Sequence, residues 1–103
     1  MSVPEIDVDG LEAQRAAGAV VIDVRETDEL EEARVPGVVH LPLGEVVARV
    51  GEVPTDQTVY VICRSGGRSA QAVEFMLGQG IDAVNVAGGT LAWMAAGKET
   101  ESG

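Results

Sequence analysis

The sequence predicts an α/β fold built on a largely parallel sheet. Short apolar runs alternate with helically spaced segments about five times along 103 residues. One run, Ala19-Val20-Val21-Ile22-Asp23-Val24, is almost continuously apolar, as a strand covered on both faces must be. The only cysteine, Cys63, stands where another such run, Val59-Tyr60-Val61-Ile62, gives way to a glycine-rich turn and then a helix. In open parallel sheets ligands bind outside the carboxyl ends of strands, and Cys63 lies at such an end.

Taken in order, Ile6 to Val8 is expected as a short first strand. Asp9-Gly10-Leu11-Glu12 has the pattern of a capping box and predicts a helix to about Ala17, with Gly18 as its terminator. The buried strand over residues 19–24 follows. Arg25 to Arg34 is highly charged, with Leu30 and Ala33 as its apolar members, and predicts a short surface helix whose acidic stretch, Glu26 to Glu32, is a solvated face. Val35-Pro36-Gly37 is turn chemistry, and Val38 to Leu41 is a short strand stopped by Pro42. Leu43, Val46, Val47 and Val50 have helical spacing. Val53 to Gln57 is a loop into the central strand, Val59 to Ile62, which is β-branched and aromatic.

Beyond the Cys63 loop a helix from Ser69 places Ala72, Val73, Met76 and Leu77 on one side, and Gly80 ends it. Phe75 falls beside Gln71, off that stripe, as a boundary residue. Ala83 to Val86 is the last strand, broken by Gly88-Gly89. Thr90 to Ala96 is a final short helix whose Trp93 packs it onto the sheet. Residues 98–103 form a polar tail expected to fray. Residues 1–103 are read as one domain with one modest core, built from Val, Ile, Leu and Ala because aromatics make up only 3%.

The formal net charge of −10 argues against nucleic acid and against anionic membrane surfaces as partners. Any anion site must be made locally, and two of the six arginines, Arg64 and Arg68, fall in the Cys63 loop. A single cysteine excludes an internal disulfide, and with one histidine a structural zinc site is not expected. The N-terminus has no basic segment followed by an apolar one, and no apolar run approaches membrane-spanning length. A reducing, cytoplasmic setting is expected, and it suits a free thiol. No cofactor and no metal are expected.

The chemistry concentrates in Cys63-Arg64-Ser65-Gly66-Gly67-Arg68-Ser69. A thiol in a glycine-rich turn ahead of a helix meets backbone N–H groups and the positive end of the helix dipole. Both favour the thiolate, which is the nucleophile. No histidine in the motif can act as its base, so activation rests on loop amides, the helix terminus and the two arginines. His40 is expected to be a packing residue.

Four motifs in order resemble the single-domain rhodanese-like sulfurtransferases, over almost the whole chain. Val21-Ile22-Asp23-Val24-Arg25-Glu26 is similar to the family's opening strand with its Asp-x-Arg. Glu29-Leu30 and Val35-Pro36-Gly37-Val38 fall where the family has a Glu-aromatic pair and an Ile-Pro-Gly-Ala turn. Cys63 to Ser69 resembles the active-site loop. Gly88-Gly89-Thr90-Leu91-Ala92-Trp93 resembles the C-terminal Gly-Gly-x-x-x-Trp. Ala33-Arg34 stands where the family has Gly-His, Gly67 where it often has Asn, and Leu30 where an aromatic is typical.

The resemblance implies a three-layer α/β/α domain with a five-stranded, mainly parallel sheet. It also implies that Cys63 takes a sulfane sulfur from thiosulfate or a persulfide donor and passes it to a thiophilic acceptor. Arg64, Ser65, Gly66, Gly67, Arg68 and Ser69 would form the binding loop, and Asp23 and Arg25 a structural network beside it. The expected partners are a small-molecule sulfur donor and acceptor or, in the alternative, proteins for which the chain relays a persulfide without turnover. A phosphatase reading is disfavoured. Four residues separate Cys63 from Arg68, one fewer than the wider phosphate cradle of the tyrosine phosphatases uses.

Overall fold

The computed structural model describes residues 3–103. Five parallel strands pair in the order β1-β5-β4-β2-β3. They are β1 (Glu5–Ile6), β2 (Val20–Asp23), β3 (Val39–His40), β4 (Val59–Ile62) and β5 (Ala83–Val86). The helices are α1 (Val8–Ala16), α2 (Thr27–Glu32), α3 (Val46–Arg49), α4 (Gly67–Gly78) and α5 (Gly89–Ala95). The expected α/β architecture is present, and the sheet is wholly parallel.

Strand β4 is central and alternates strictly. Val59, Val61 and Cys63 face one core, with Val46 of α3 and Ala72, Val73 and Met76 of α4. Tyr60 and Ile62 face the other, with Leu11 of α1 and Trp93 of α5. Helices thus cover both faces, and β4 is buried along its whole length. From β2 the chain steps outward to β3, and from β4 it steps the other way to β5. The carboxyl ends of β2 and β4 therefore flank the crevice where strand order reverses, the favoured ligand position in such sheets.

Several boundaries differ from expectation, each for a local reason. The cap of α1 is Asp7, whose Oδ1 accepts from Gly10 N at 2.8 Å, so the helix starts at Val8 and β1 ends at Ile6. The segment after Pro42 is not one helix. 3-10 turns at Leu43–Glu45 and Val50–Glu52 flank the single α-turn of α3, and each contains a glycine, Gly44 or Gly51, poor helix formers that weaken regular winding. Helix α4 begins at Gly67. Its buried stripe is Ser69, Ala72, Val73 and Met76, while Leu77 is 38% exposed, one position past the stripe. Phe75 is half-buried against the α4-side core.

Gly80 ends α4 as expected. With φ at +82°, its N–H donates to Leu77 O at 3.1 Å and that of Ile81 to Met76 O at 3.0 Å, the paired bonds of a Schellman turn. The polar tail is docked rather than frayed. Arg34 and Glu101 exchange two backbone bonds of 2.9 Å, Trp93 Nε1 donates to Glu99 O at 2.7 Å, and Lys98 Nζ reaches Asp9 and Glu12 at 2.9 and 2.8 Å. No helix among the described residues is long and apolar enough to cross a membrane.

Candidate active site

The loop of residues 63–66 is folded around the Cys63 sulfur. Gly66 N donates to Sγ at 3.1 Å and Ser69 Oγ at 3.2 Å. The sulfur sits on the floor of this cradle, and the residue is only 1% exposed. Burial pushes the thiol pKa up. The Ser69 hydroxyl and the backbone amides of Ser69, Gly66 and Ser65 push it down and prevail, so the net direction is below the ordinary thiol value. No imidazole takes part: His40 Nε2 bonds Arg25 O at 2.7 Å, a packing role.

Gly66 is the N-cap of α4 with φ at +112°, a left-handed conformation that glycine adopts freely. That turn is what brings its N–H back onto a sulfur three residues earlier. Gly67, by contrast, has open space where a side chain would stand and no positive φ.

The two arginines of the loop have different surroundings. Arg68 makes a bidentate pair with Glu29 of α2, at 2.7 and 2.8 Å. This pairing drops the Glu29 carboxyl to about 2, against a smaller upward push from burial. Glu29 Oε1 also accepts from Glu26 N at 3.1 Å, closing the N-terminus of α2. The acidic stretch expected to be solvated therefore contributes one carboxylate to the loop's support. Arg64 is exposed, and no ion pair to its guanidinium occurs among the described residues. It lines a cleft of about 420 Å3 with Arg25, Glu29, Ala33, Leu91 and Met94. Ser65 is exposed on the same loop.

Asp23 and Arg25, at the carboxyl end of β2, form a buried ion pair. Arg25 Nη2 meets Asp23 Oδ2 at 2.9 Å, Arg25 Nε meets Oδ1 at 3.0 Å, and Arg25 N also donates to Oδ1 at 3.0 Å. Arg25 Nη2 continues to Ala33 O at 2.9 Å and so ties α2 to the sheet. With each partner engaged by the other, the pair has the geometry of a support.

Four further residues hold the loop: Gly89, Thr90 and Leu91 of the C-terminal glycine motif, and Asn85, which the sequence did not single out. Thr90 N and Oγ1 donate to Cys63 O at 2.9 and 3.0 Å, and Leu91 N donates to Arg64 O at 3.0 Å. Gly89 makes this approach possible, because a Cβ there would lie 2.5 Å from Arg64 O and 2.6 Å from Cys63 O. Asn85 Nδ2 donates to Gly66 O at 3.2 Å. In the sequence the glycine pair at 88–89 reads only as the break after β5, and nothing local marks what Gly89 approaches.

Chemically, the site offers a recessed thiol whose pKa is lowered, a cradle of donors able to hold anionic sulfur, and on the same loop a guanidinium with no ion pair among the described residues. Among the described residues there is no group of three or more His, Cys, Asp or Glu placed to hold a metal.

The chain is similar to known proteins along most of its length. A family model described as "Rhodanese-like domain" matches residues 7–96. YrkF of Bacillus subtilis strain 168, provisionally named a sulfur carrier protein, is 41% identical over 95 residues, which are 89% of this chain and 51% of that protein. The chain thus spans about half the length of that relative. A protein of Allochromatium vinosum named sulfurtransferase is 37% identical over 95 residues, 88% of each chain. The crystal structure of a rhodanese-related protein from Thermoplasma volcanium superposes with a TM-score of 0.90 at 30% identity, covering 96% of this chain and 98% of that one.

Proposed function

This chain belongs to the rhodanese-like domain family, and from that premise we propose that it transfers sulfane sulfur through a persulfide on Cys63. The observation that carries the reading is the convergence of Gly66 N and Ser69 Oγ on one thiol at the carboxyl end of the central strand. The names of its relatives support sulfur transfer in general; thiosulfate as donor is the finer reading, in keeping with the relatives named thiosulfate sulfurtransferase.

In the first step the Cys63 thiolate attacks the sulfane sulfur of thiosulfate. The S–S bond of the donor breaks, sulfite leaves with the electron pair, and Cys63 becomes a persulfide anion. In the second step a thiophile such as cyanide attacks the outer sulfur. The Cys63–sulfur bond breaks, thiocyanate leaves, and the thiolate returns. No net proton transfer is needed, which fits a site with no base. The loop donors hold negative charge on sulfur at both stages. Arg64, exposed next to Cys63 and without an ion pair among the described residues, is suited to an oxyanion, while Arg68 is engaged in holding the loop through Glu29.

Double-displacement kinetics with thiosulfate and cyanide, and their loss in Cys63→Ser, are the expected results. Activity surviving that substitution would sink the proposal.

A second reading, persulfide carriage between partner proteins, is favoured by the provisional name of YrkF and by the exposed Leu91 and Met94 on the cleft wall. Small anions gain nothing from such a wall. Incubation with a persulfide-bearing desulfurase should then add one sulfur to the intact mass. Loading from thiosulfate alone, and never from a protein donor, counts against carriage. A reducing, cytoplasmic setting fits either reading, because the thiol must stay free.

A further inference from the structure

Asn85 of β5 is 1% exposed, a buried polar residue in an otherwise apolar strand. It lies in register with Val61 of β4 and Glu5 of β1. Its Nδ2 donates twice, to Gly66 O at 3.2 Å and to Glu5 Oε2 at 3.1 Å. Two acceptors on that edge fix the amide's orientation, since an oxygen there would face a carboxylate and a carbonyl. Its Oδ1 is buried with no partner among the described residues. An apolar residue would avoid leaving that oxygen unpaired, so the contribution of the amide lies in what its nitrogen holds.

What it holds is the N-cap of α4. Gly66 O also receives the first helical bond, from Ala70 N at 3.1 Å, and Gly66 N faces Sγ at 3.1 Å. Gly66 is a left-handed glycine whose backbone has wide freedom of its own. Pinning its carbonyl to β5 removes that freedom and leaves the N–H aimed at sulfur. We propose that Asn85 is a positioning residue for the Cys63 thiolate, acting through Gly66. The inference rests on the reading of Cys63 as the reactive thiol. The charged groups nearest the thiol's own network, Arg68 on α4 with Glu29 on α2 and Asp23 with Arg25 at the end of β2, are not bonded to Asn85.

The test uses the chain's single cysteine, which makes alkylation unambiguous. The rate of reaction with iodoacetamide is measured against pH for the wild type, Asn85→Leu and Glu5→Gln. Asn85→Leu should move the midpoint to higher pH and slow the reaction at pH 7 by about threefold or more, the factor for half a pKa unit. Glu5→Gln, whose amide oxygen still accepts from Nδ2, should leave the midpoint unchanged.

A folded Asn85→Leu with the wild-type midpoint overturns the proposal, whatever its melting temperature. If Asn85→Leu does not fold, Asn85→Ser, too short to reach Gly66 O, is read in the same way. Alkylation needs no sulfur donor, so a shifted midpoint without thiosulfate turnover would keep Asn85's role and refute sulfur transfer. Turnover with an unshifted midpoint would do the reverse.

Discussion

Ser69 Oγ donates to Cys63 Sγ across 3.2 Å, from the first turn of the helix that the cysteine's own loop initiates. Hydrogen bonds to charged groups contribute about 1.5–3 kcal/mol, and one pKa unit corresponds to about 1.4 kcal/mol. Ser69→Ala should therefore raise the Cys63 pKa by about one unit and slow alkylation at pH 7 several-fold, as read from a pH–rate profile. The linkage sign follows from the lowered thiol value in the folded state. That stabilisation is fully present above the unfolded thiol pKa and is lost as pH falls through the folded one. The stability gap between wild type and Ser69→Ala should be wider at pH 9 than at pH 6.

The Glu29–Arg68 pair joins α2 to the active-site helix. It is partly exposed, which screens it, so Arg68→Ala should cost about 1 kcal/mol at pH 7 in urea unfolding. Glu29 is depressed from 4.5 to about 2 in the folded state. Its contribution is present above about 4.5 and disappears as pH falls towards 2. The unfolding midpoints of wild type and variant should converge over that interval; a constant difference down to pH 2 would assign the loss to packing instead.

Gly89 and Gly67 should respond oppositely to alanine. At Gly89, with φ at +59°, a Cβ would meet Arg64 O at 2.5 Å. Left-handed strain and overpacking together should cost roughly 2 kcal/mol or more and displace the loop, seen as a lower melting temperature and slower alkylation. At Gly67 the space is open, and Gly67→Ala should stabilise by about 0.4–1 kcal/mol with the loop's N–H groups intact.

Arg64, the residue after Cys63, is exposed, lines the cleft with Arg25 and Leu91, and has no ion pair among the described residues. If it holds the sulfonate end of thiosulfate, Arg64→Ala should raise the thiosulfate KM about tenfold, the equivalent of ~1.4 kcal/mol. Alkylation by neutral iodoacetamide should change little. An unaltered KM would remove Arg64 from the binding site.

What was legible in the sequence was local. The strand-to-helix turn at Cys63, its glycines, the neighbouring Ser69 and the Asp23-x-Arg25 pair all lie within a few residues of their partners. Contacts across the fold could not be read without the strand order. Glu29 meets Arg68 across 39 residues, Thr90 meets Cys63 across 27, and Asn85 meets Gly66 across 19. The carboxylate of Glu29 looked like one more solvated charge in an acidic run, because charge spacing on a helix says which residues share a face and not what that face meets. The docked tail was missed for the same reason: its polar composition is that of a frayed end, and its order comes from Arg34, Trp93 and the acidic side of α1.

The recessed position of Sγ constrains how the protein meets oxidants. A disulfide needs two sulfurs about 2.05 Å apart, and two concave cradles pressed mouth to mouth would keep theirs separated by the loops around them. The chain carries no second thiol to resolve an oxidised one from within. Covalent dimers on a non-reducing gel should therefore be scarce after mild peroxide treatment. Oxidation is confined to what a small molecule can deposit on one sulfur, and its reversal to what a slender reductant can remove.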